Sequence, residues 1–181
     1  MIPYGRQHIN EDDLQAVITA LRSDYLTQGS SVPFFEESVK DYCGAGYGIA
    51  MNSATSALHA ACLSLGLGPG DLLWTSPITF VASANCALYC GANIDFVDID
   101  LMTLNISPEA LEVKLINAKK KGKLPKIIIV VHMAGHSCEM KKIKSLSELY
   151  GFAIIEDAAH AMGAWYDGSP VGSCLFSDIT I

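Results

Sequence analysis

Two carboxylates, Glu156 and Asp157, follow the apolar run Phe152-Ala153-Ile154-Ile155, at the end of a segment that reads as a buried strand. An ionised carboxylate there is costly unless a cation or hydrogen-bond donors meet it. Asp157 has two readings. In one it caps the turn that follows. In the other it faces a ligand nitrogen that must stay protonated. Pyridoxal 5′-phosphate (PLP) has such a nitrogen, because the protonated ring draws electrons from a reacting substrate carbon. His160, just beyond Asp157, can reach the same ligand or serve the fold.

Three further stretches bear on a ligand. Asn52-Ser53-Ala54-Thr55-Ser56-Ala57-Leu58 follows a short apolar run and opens a helix, so free N–H groups and hydroxyls can surround an anion at the positive helix end. An ordinary Ser/Thr cap has the same composition. Phe80 sits in the loop after the second apolar run, where its ring can stack on a flat heterocycle, although core packing is the commoner fate of such a residue. His132 and His136 are separated by a loop containing Gly135, with no third ligand at a recognisable spacing, so no metal site is expected. Gly66-Leu67-Gly68-Pro69-Gly70 lies after a helix and before a strand, the reverse of a pyrophosphate-binding order, and reads as a turn.

The elements that position these residues follow from periodicity. Asn10 reads as the cap of an amphipathic helix carrying Leu14, Val17, Ile18 and Leu21. Pro33 opens a second helix that Gly44 ends. Short apolar runs then alternate with helical ones. The expected strands are Gly48–Met51, Asp71–Thr75, Ile94–Val97, Ile127–Val131, Phe152–Ile155 and Asp178–Ile181, with a turn at Asp167-Gly168. Apolar strands joined by helices imply an α/β fold, a mainly parallel sheet with helices on both faces. Ligand sites in such sheets form at the carboxyl ends of the strands, where the candidate residues lie.

Composition narrows the function. Half of the 181 residues are apolar, 17% are charged and the formal charge is −7, which argues against a broad nucleic-acid-binding surface. Lys119, Lys120, Lys121 and Lys123 read as a solvated loop after a helix. The six cysteines lack a CxxC pair and read as reduced and buried. Neither a signal-like start nor a run of about 18 apolar residues is present, so a cytoplasmic protein without a membrane partner is expected. A chain ending inside an apolar strand is expected to continue.

Taken together, the Asn52–Leu58 stretch, Thr75-Ser76-Pro77-Ile78-Thr79-Phe80-Val81-Ala82-Ser83-Ala84-Asn85, Glu156-Asp157-Ala158-Ala159-His160-Ala161 and Leu26-Thr27-Gln28-Gly29 resemble the DegT/StrS family of sugar-nucleotide aminotransferases in order and spacing. The resemblance covers essentially the whole chain. It is strongest to the branch that makes the 4-amino sugar precursor of pseudaminic acid, a flagellin-modifying sugar. It implies the N-terminal part of the large domain of a fold-type I PLP-dependent transferase, with residues 1–45 as a helical segment and 46–181 as an incomplete PLP-binding large domain. It further implies a homodimer, glutamate as amino donor, and a UDP-4-keto-6-deoxy-HexNAc sugar aminated at C4.

By that resemblance, Ala54 and Thr55 lie at the PLP phosphate, Phe80 over the ring, Asp157 on the ring nitrogen and His160 near the ring hydroxyl. Tyr4 and Asp24-Tyr25-Leu26-Thr27 would meet the nucleotide sugar. The family's Schiff-base lysine lies in a Ser-Phe-His-x-x-Lys motif just after the stretch matching Ser177–Ile181, so it and the C-terminal small domain are expected beyond Ile181. No lysine present takes its place, and the chain alone is expected to be inactive. Two alternatives stay open: a sugar dehydratase of the same fold with histidine at the lysine position, and a non-catalytic binding or assembly module.

Overall fold

A computed structural model describes residues 6–181. Its centre is a five-stranded, all-parallel sheet of β1 (Leu72–Thr75), β2 (Asn93–Phe96), β3 (Ile127–Val131), β4 (Ala153–Asp157) and the short β7 (Ile179–Thr180), in the order β2-β1-β3-β4-β7. A small antiparallel hairpin, β5 (Trp165–Tyr166) with β6 (Ser169–Pro170), precedes β7. Asp167 and Gly168 turn that hairpin with φ of 52° and 79°, the left-handed pair a two-residue turn requires.

All five residues of β3 are buried, as a strand covered on both faces must be. Ile127, Ile129 and Val131 pack with Leu58 and Cys62 of α3 (Ala54–Ser64) and Cys86 and Ala87 of α4 (Ala82–Tyr89). Ile128 and Val130 pack the other way, with Leu111 and Leu115 of α5 (Pro108–Lys120) and Ile143 and Leu146 of α6 (Met140–Tyr150). The alternation of a pleated strand thus divides one apolar run between two cores. Burying each of the Val, Leu and Ile side chains among these contributes roughly 1.5–3 kcal/mol. The α/β architecture with helices on both faces is the one expected.

The helix boundaries follow their caps. In α1 (Glu11–Leu21) the Asn10 side chain accepts from the Asp12 and Asp13 N–H groups, and Asp13 returns a bond to the Asn10 N–H. In α2 (Ser31–Cys43) Gly44 closes the end at φ 70°. Ser107 caps α5 with Pro108 in its first turn. The apolar face of α1 is solvent-exposed: Leu14, Val17 and Leu21 are each at least half exposed. None of the described helices is long and apolar enough to cross a membrane.

Gly48–Met51 departs from expectation. It forms no strand and is unpaired, and Ile49 is 80% exposed. Instead of a strand partner, its Ala50 N–H donates to Glu36 Oε1 at 2.8 Å, and Gly48 packs so close to α2 that a Cβ there would lie 2.5 Å from Glu36 O. An apolar run becomes a strand only when another strand supplies its ladder, and none of the described strands lies beside this one. Lys119 and Lys120 belong to the last turn of α5 rather than to a loop, with the Lys119 ammonium 5.4 Å from the Tyr150 ring centre. The cysteines are free, and five are buried, but Cys174 is only half-buried.

Candidate functional site

Glu156 and Asp157 are the last two residues of β4, and the pleat sends them to opposite faces. Glu156 shares the α5/α6 face with Ile154, and Asp157 the α3/α4 face with Ile155. Both are buried, at 5% and 7% exposure, but they are satisfied very differently.

Glu156 is saturated. His132 Nε2–H donates to its Oε2 at 2.7 Å, Thr180 Oγ1 to its Oε1 at 3.2 Å, and Ser177 Oγ to the same oxygen. The Cys138 N–H donates to His132 Nδ1 at 3.1 Å, which assigns the remaining ring proton to Nε2. Burial alone would push the Glu156 carboxyl up, but bonds from His132, Ser177 and Thr180 outweigh it and hold the group below its usual range. His132, which the sequence offers only as half of an unconvincing metal pair, is therefore a carboxylate partner tying the end of β3 to the end of β4. Strand adjacency was the signal that could have found it.

Asp157 is not saturated. Ser83 Oγ, from the first turn of α4, donates to Oδ2 at 2.6 Å. Among the described residues, its Oδ1 receives only a long 3.4 Å contact from the Ala159 N–H. A buried carboxylate with one firm donor and a second oxygen facing weak competition has room for a cationic donor. The turn-cap reading of Asp157 therefore accounts for little of its environment.

At the start of α3, Ser53 is extended (φ −164°, ψ 155°) and its Oγ accepts the Ser56 N–H at 3.2 Å. The Ala54 and Thr55 N–H groups precede the first intrahelical bonds and point out of the positive helix end. Ala54 is exposed and Thr55 half-buried. A cavity of about 390 Å³ joins this end to the loop after β4, with Ser53 and Ala54 on one wall and Ala158 and Ala159 on another. It adjoins a groove of about 430 Å³ between Ile49, Met51 and the end of the chain at Ile179 of β7 and Ile181.

Phe80 is 71% exposed in the turn before α4, and that turn is closed by the Ser83 N–H donating to Phe80 O at 3.1 Å. The aromatic ring and Asp157 are thus linked through one residue. His160 is exposed, and its carbonyl lies against Gly135, where a Cβ would come within 2.8 Å. Asp24, Tyr25, Leu26 and Thr27 are exposed in the turn between α1 and α2 and line neither cavity. Gly29 closes that turn, since a Cβ there would meet Tyr25 O at 2.7 Å. Tyr4 lies outside the described residues. Lys126 pairs with Asp71, Lys141 with Asp167 and Lys142 with Glu109, so these ammonium groups are engaged away from Asp157.

The sequence of residues 7–181 matches the model of the DegT/DnrJ/EryC1/StrS aminotransferase family. The chain belongs to that family. It is 41% identical over 182 aligned positions to a UDP-4-amino-4,6-dideoxy-N-acetyl-beta-L-altrosamine transaminase of Campylobacter jejuni, covering all of this chain and 46% of that protein. The fold superposes on PseC of Helicobacter pylori, an aminotransferase of pseudaminic acid biosynthesis, with a TM-score of 0.85 and 34% identity over 94% of this chain and 44% of that one. A Streptococcus pneumoniae protein assigned as a sugar aminotransferase, solved in its PLP form, gives 0.84 and 27% identity over 99% of this chain and 47% of that one. The chain spans a little under half the length of these relatives.

Proposed function

We propose that this chain is the cofactor-binding portion of a PLP-dependent aminotransferase that moves an amino group from glutamate to the C4 keto carbon of a UDP-4-keto-6-deoxy-HexNAc sugar. The product would enter pseudaminic acid or a related bacterial glycan, including the sugars that decorate flagellin. The observation that carries the reading is the buried Asp157 carboxylate, whose Oδ1 is only weakly engaged, one residue before Ala158, which lines the cavity that reaches the start of α3. The 41% identity to a transaminase supports the substrate class.

Bound PLP supplies an electron sink for charge developing at the substrate carbon. The residues of this chain do the rest of the work assigned to them. Asp157 holds a proton on the ring nitrogen by offering a buried anion opposite it. Phe80 covers one face of the ring and excludes water from it. Ala54 and Thr55 give backbone N–H groups and a hydroxyl to the phosphate at the positive end of α3. His160 approaches the ring hydroxyl, and Tyr4 with Asp24–Thr27 meets the nucleotide sugar. Residues 46–181 act as the PLP-binding large domain and residues 1–45 as a helical segment. The exposed apolar face of α1 supports a homodimer in a cytoplasmic enzyme. With Lys126, Lys141 and Lys142 paired to Asp71, Asp167 and Glu109, and no lysine among the described residues lining the cavity at the start of α3 except Lys40, which pairs with Glu37, the 181 residues alone do not catalyse transfer.

Equilibrium binding of pyridoxamine 5′-phosphate to the purified chain tests the reading. Asp157→Ala should weaken binding roughly tenfold or more, about 1.4 kcal/mol, by removing the anion opposite the ring nitrogen. Affinity unchanged in the variant would sink the assignment of Asp157. Borohydride treatment of the chain with PLP should leave no lysine stoichiometrically modified; one modified lysine would refute the claim of inactivity.

A further inference from the structure

We infer that Ser83, oriented by Thr79, is a positioning residue that fixes the Asp157 carboxylate relative to the Phe80 ring. It leaves Oδ1 as the oxygen offered to a ring nitrogen. The inference rests on the reading of Asp157 as nitrogen anchor and adds the residues that would make that anchor directional.

Ser83 is fully buried in the first turn of α4 and is 74 residues from its partner in sequence. Its hydroxyl has a single proton and two polar neighbours, one on each side. Thr79 Oγ1 donates to Ser83 Oγ at 2.8 Å, so the Ser83 proton is committed to Asp157 Oδ2 at 2.6 Å. The direction of the relay is set by its end: an ionised carboxylate only accepts, so the proton order Thr79 to Ser83 to Asp157 is the one that satisfies all three. Oδ2 is thereby occupied, and the carboxylate plane is held by a short, charge-assisted bond.

The same residue governs Phe80. Its backbone N–H closes the turn on Phe80 O at 3.1 Å, so the aromatic side chain and the carboxylate are referred to one rigid point at the start of a helix. A flat ring stacked on Phe80 has its nitrogen placed relative to Asp157 only as well as this joint is held. α4 follows β1 whereas Asp157 ends β4, and β3 lies between those strands in the sheet. The Ser83 bond therefore ties together two strand ends that do not pair with each other.

A purely structural role would loosen the pocket for any ligand, whereas a positioning role acts through the ring nitrogen. Dissociation constants of the purified chain should be compared for pyridoxamine 5′-phosphate and for its 1-carba analogue, in which a C–H replaces that nitrogen. The unmodified chain is expected to prefer the nitrogen-containing ring. Ser83→Ala should weaken pyridoxamine 5′-phosphate roughly tenfold while changing the analogue by less than about twofold. Ser83→Thr, which restores a hydroxyl, should recover most of the loss. Thr79→Val, which keeps the Ser83 hydroxyl but frees its orientation, should give an intermediate loss confined to the nitrogen-containing ligand. Equal weakening of both ligands by Ser83→Ala, or no weakening of either while the preference persists, overturns the inference and leaves Asp157 in place. A chain with no preference for the nitrogen overturns the anchor and the inference with it.

Discussion

Removing the Glu156 carboxylate should destabilise the fold by an amount set by the donors it orphans. In Glu156→Ala the His132 Nε2–H, buried at 1% exposure, loses its only acceptor at 2.7 Å. The imidazole cannot turn away, because Nδ1 is already engaged by the Cys138 N–H at 3.1 Å. Ser177 and Thr180 also lose their shared acceptor, although their hydroxyls lie 3.4 Å apart and can partly re-pair. One fixed orphan donor costs about 1–3 kcal/mol, and because His132 is neutral no unpaired charge is left behind, so that desolvation penalty dominates the cost. Glu156→Gln differs: its oxygen can keep His132 while its amide donates to the two hydroxyls, so only the charge-assisted part is lost, about 1–2 kcal/mol. Urea denaturation at neutral pH measures both. The pH dependence adds a signed check. The folded carboxyl is held below its ordinary 4.5, so its contribution is fully present above that value and is lost as pH falls through the lower folded one. Stability of the unmodified chain should therefore fall more steeply below about pH 4.5 than that of Glu156→Gln. Equal costs for the two variants, or parallel pH profiles, would refute the network as described.

Two further predictions concern the surroundings of the site. Gly135→Ala should cost about 2 kcal/mol or more, because it combines a left-handed φ of +84° with a Cβ 2.8 Å from His160 O. Gly168→Ala, at φ +79° with open space, carries the backbone strain alone, so equal melting temperatures for the two would contradict the close approach. Thiol labelling of the native chain should modify Cys174 first and alone: the other five are buried, and burial pushes Cys138 up to about 12, leaving almost no thiolate at pH 8. Cys62, Cys86 or Cys90 reacting at the Cys174 rate would show that the α3/α4 core opens more readily than its packing implies.

Much of the fold was legible because local signals agreed with one another. Ile127–Val131 needs no partner to be recognised as a doubly covered strand, and the Asn10, Gly44 and Ser107-Pro108 caps mark helix ends to within a residue. Gly48–Met51 failed for a physical reason: its apolar residues satisfy strand periodicity, but pairing is a property of two segments. The same limit hid the relay at the site. Asp157 reads as a candidate on its own, but Thr79 and Ser83 read as unremarkable alone, and the contact that joins Ser83 to Asp157 spans 74 residues. A clue was present in α4, where Ser83 is flanked by alanines in a helix destined for the core and so needed a buried acceptor.

Adjacency along β4 explains why two carboxylates stand together where one would serve as an anchor. A strand end carrying a lone under-satisfied Asp157 would gain by twisting it toward solvent, because desolvation of the anion favours any motion that hydrates it. Glu156, one residue earlier and on the opposite face, opposes that motion. Its three donors come from the end of β3, from the loop before β7 and from β7 itself, so β4 cannot rotate about its axis without breaking bonds on the far side. The two residues therefore divide the work by pleat parity. Glu156 spends its hydrogen-bonding capacity on the protein, and Asp157 keeps part of its own in reserve. On this account the stability lost in Glu156→Ala and the affinity lost in Asp157→Ala are coupled in one direction. Glu156→Ala should weaken pyridoxamine 5′-phosphate binding as well as the fold, whereas Asp157→Ala should weaken binding while leaving the Glu156 network, and its pH signature, intact.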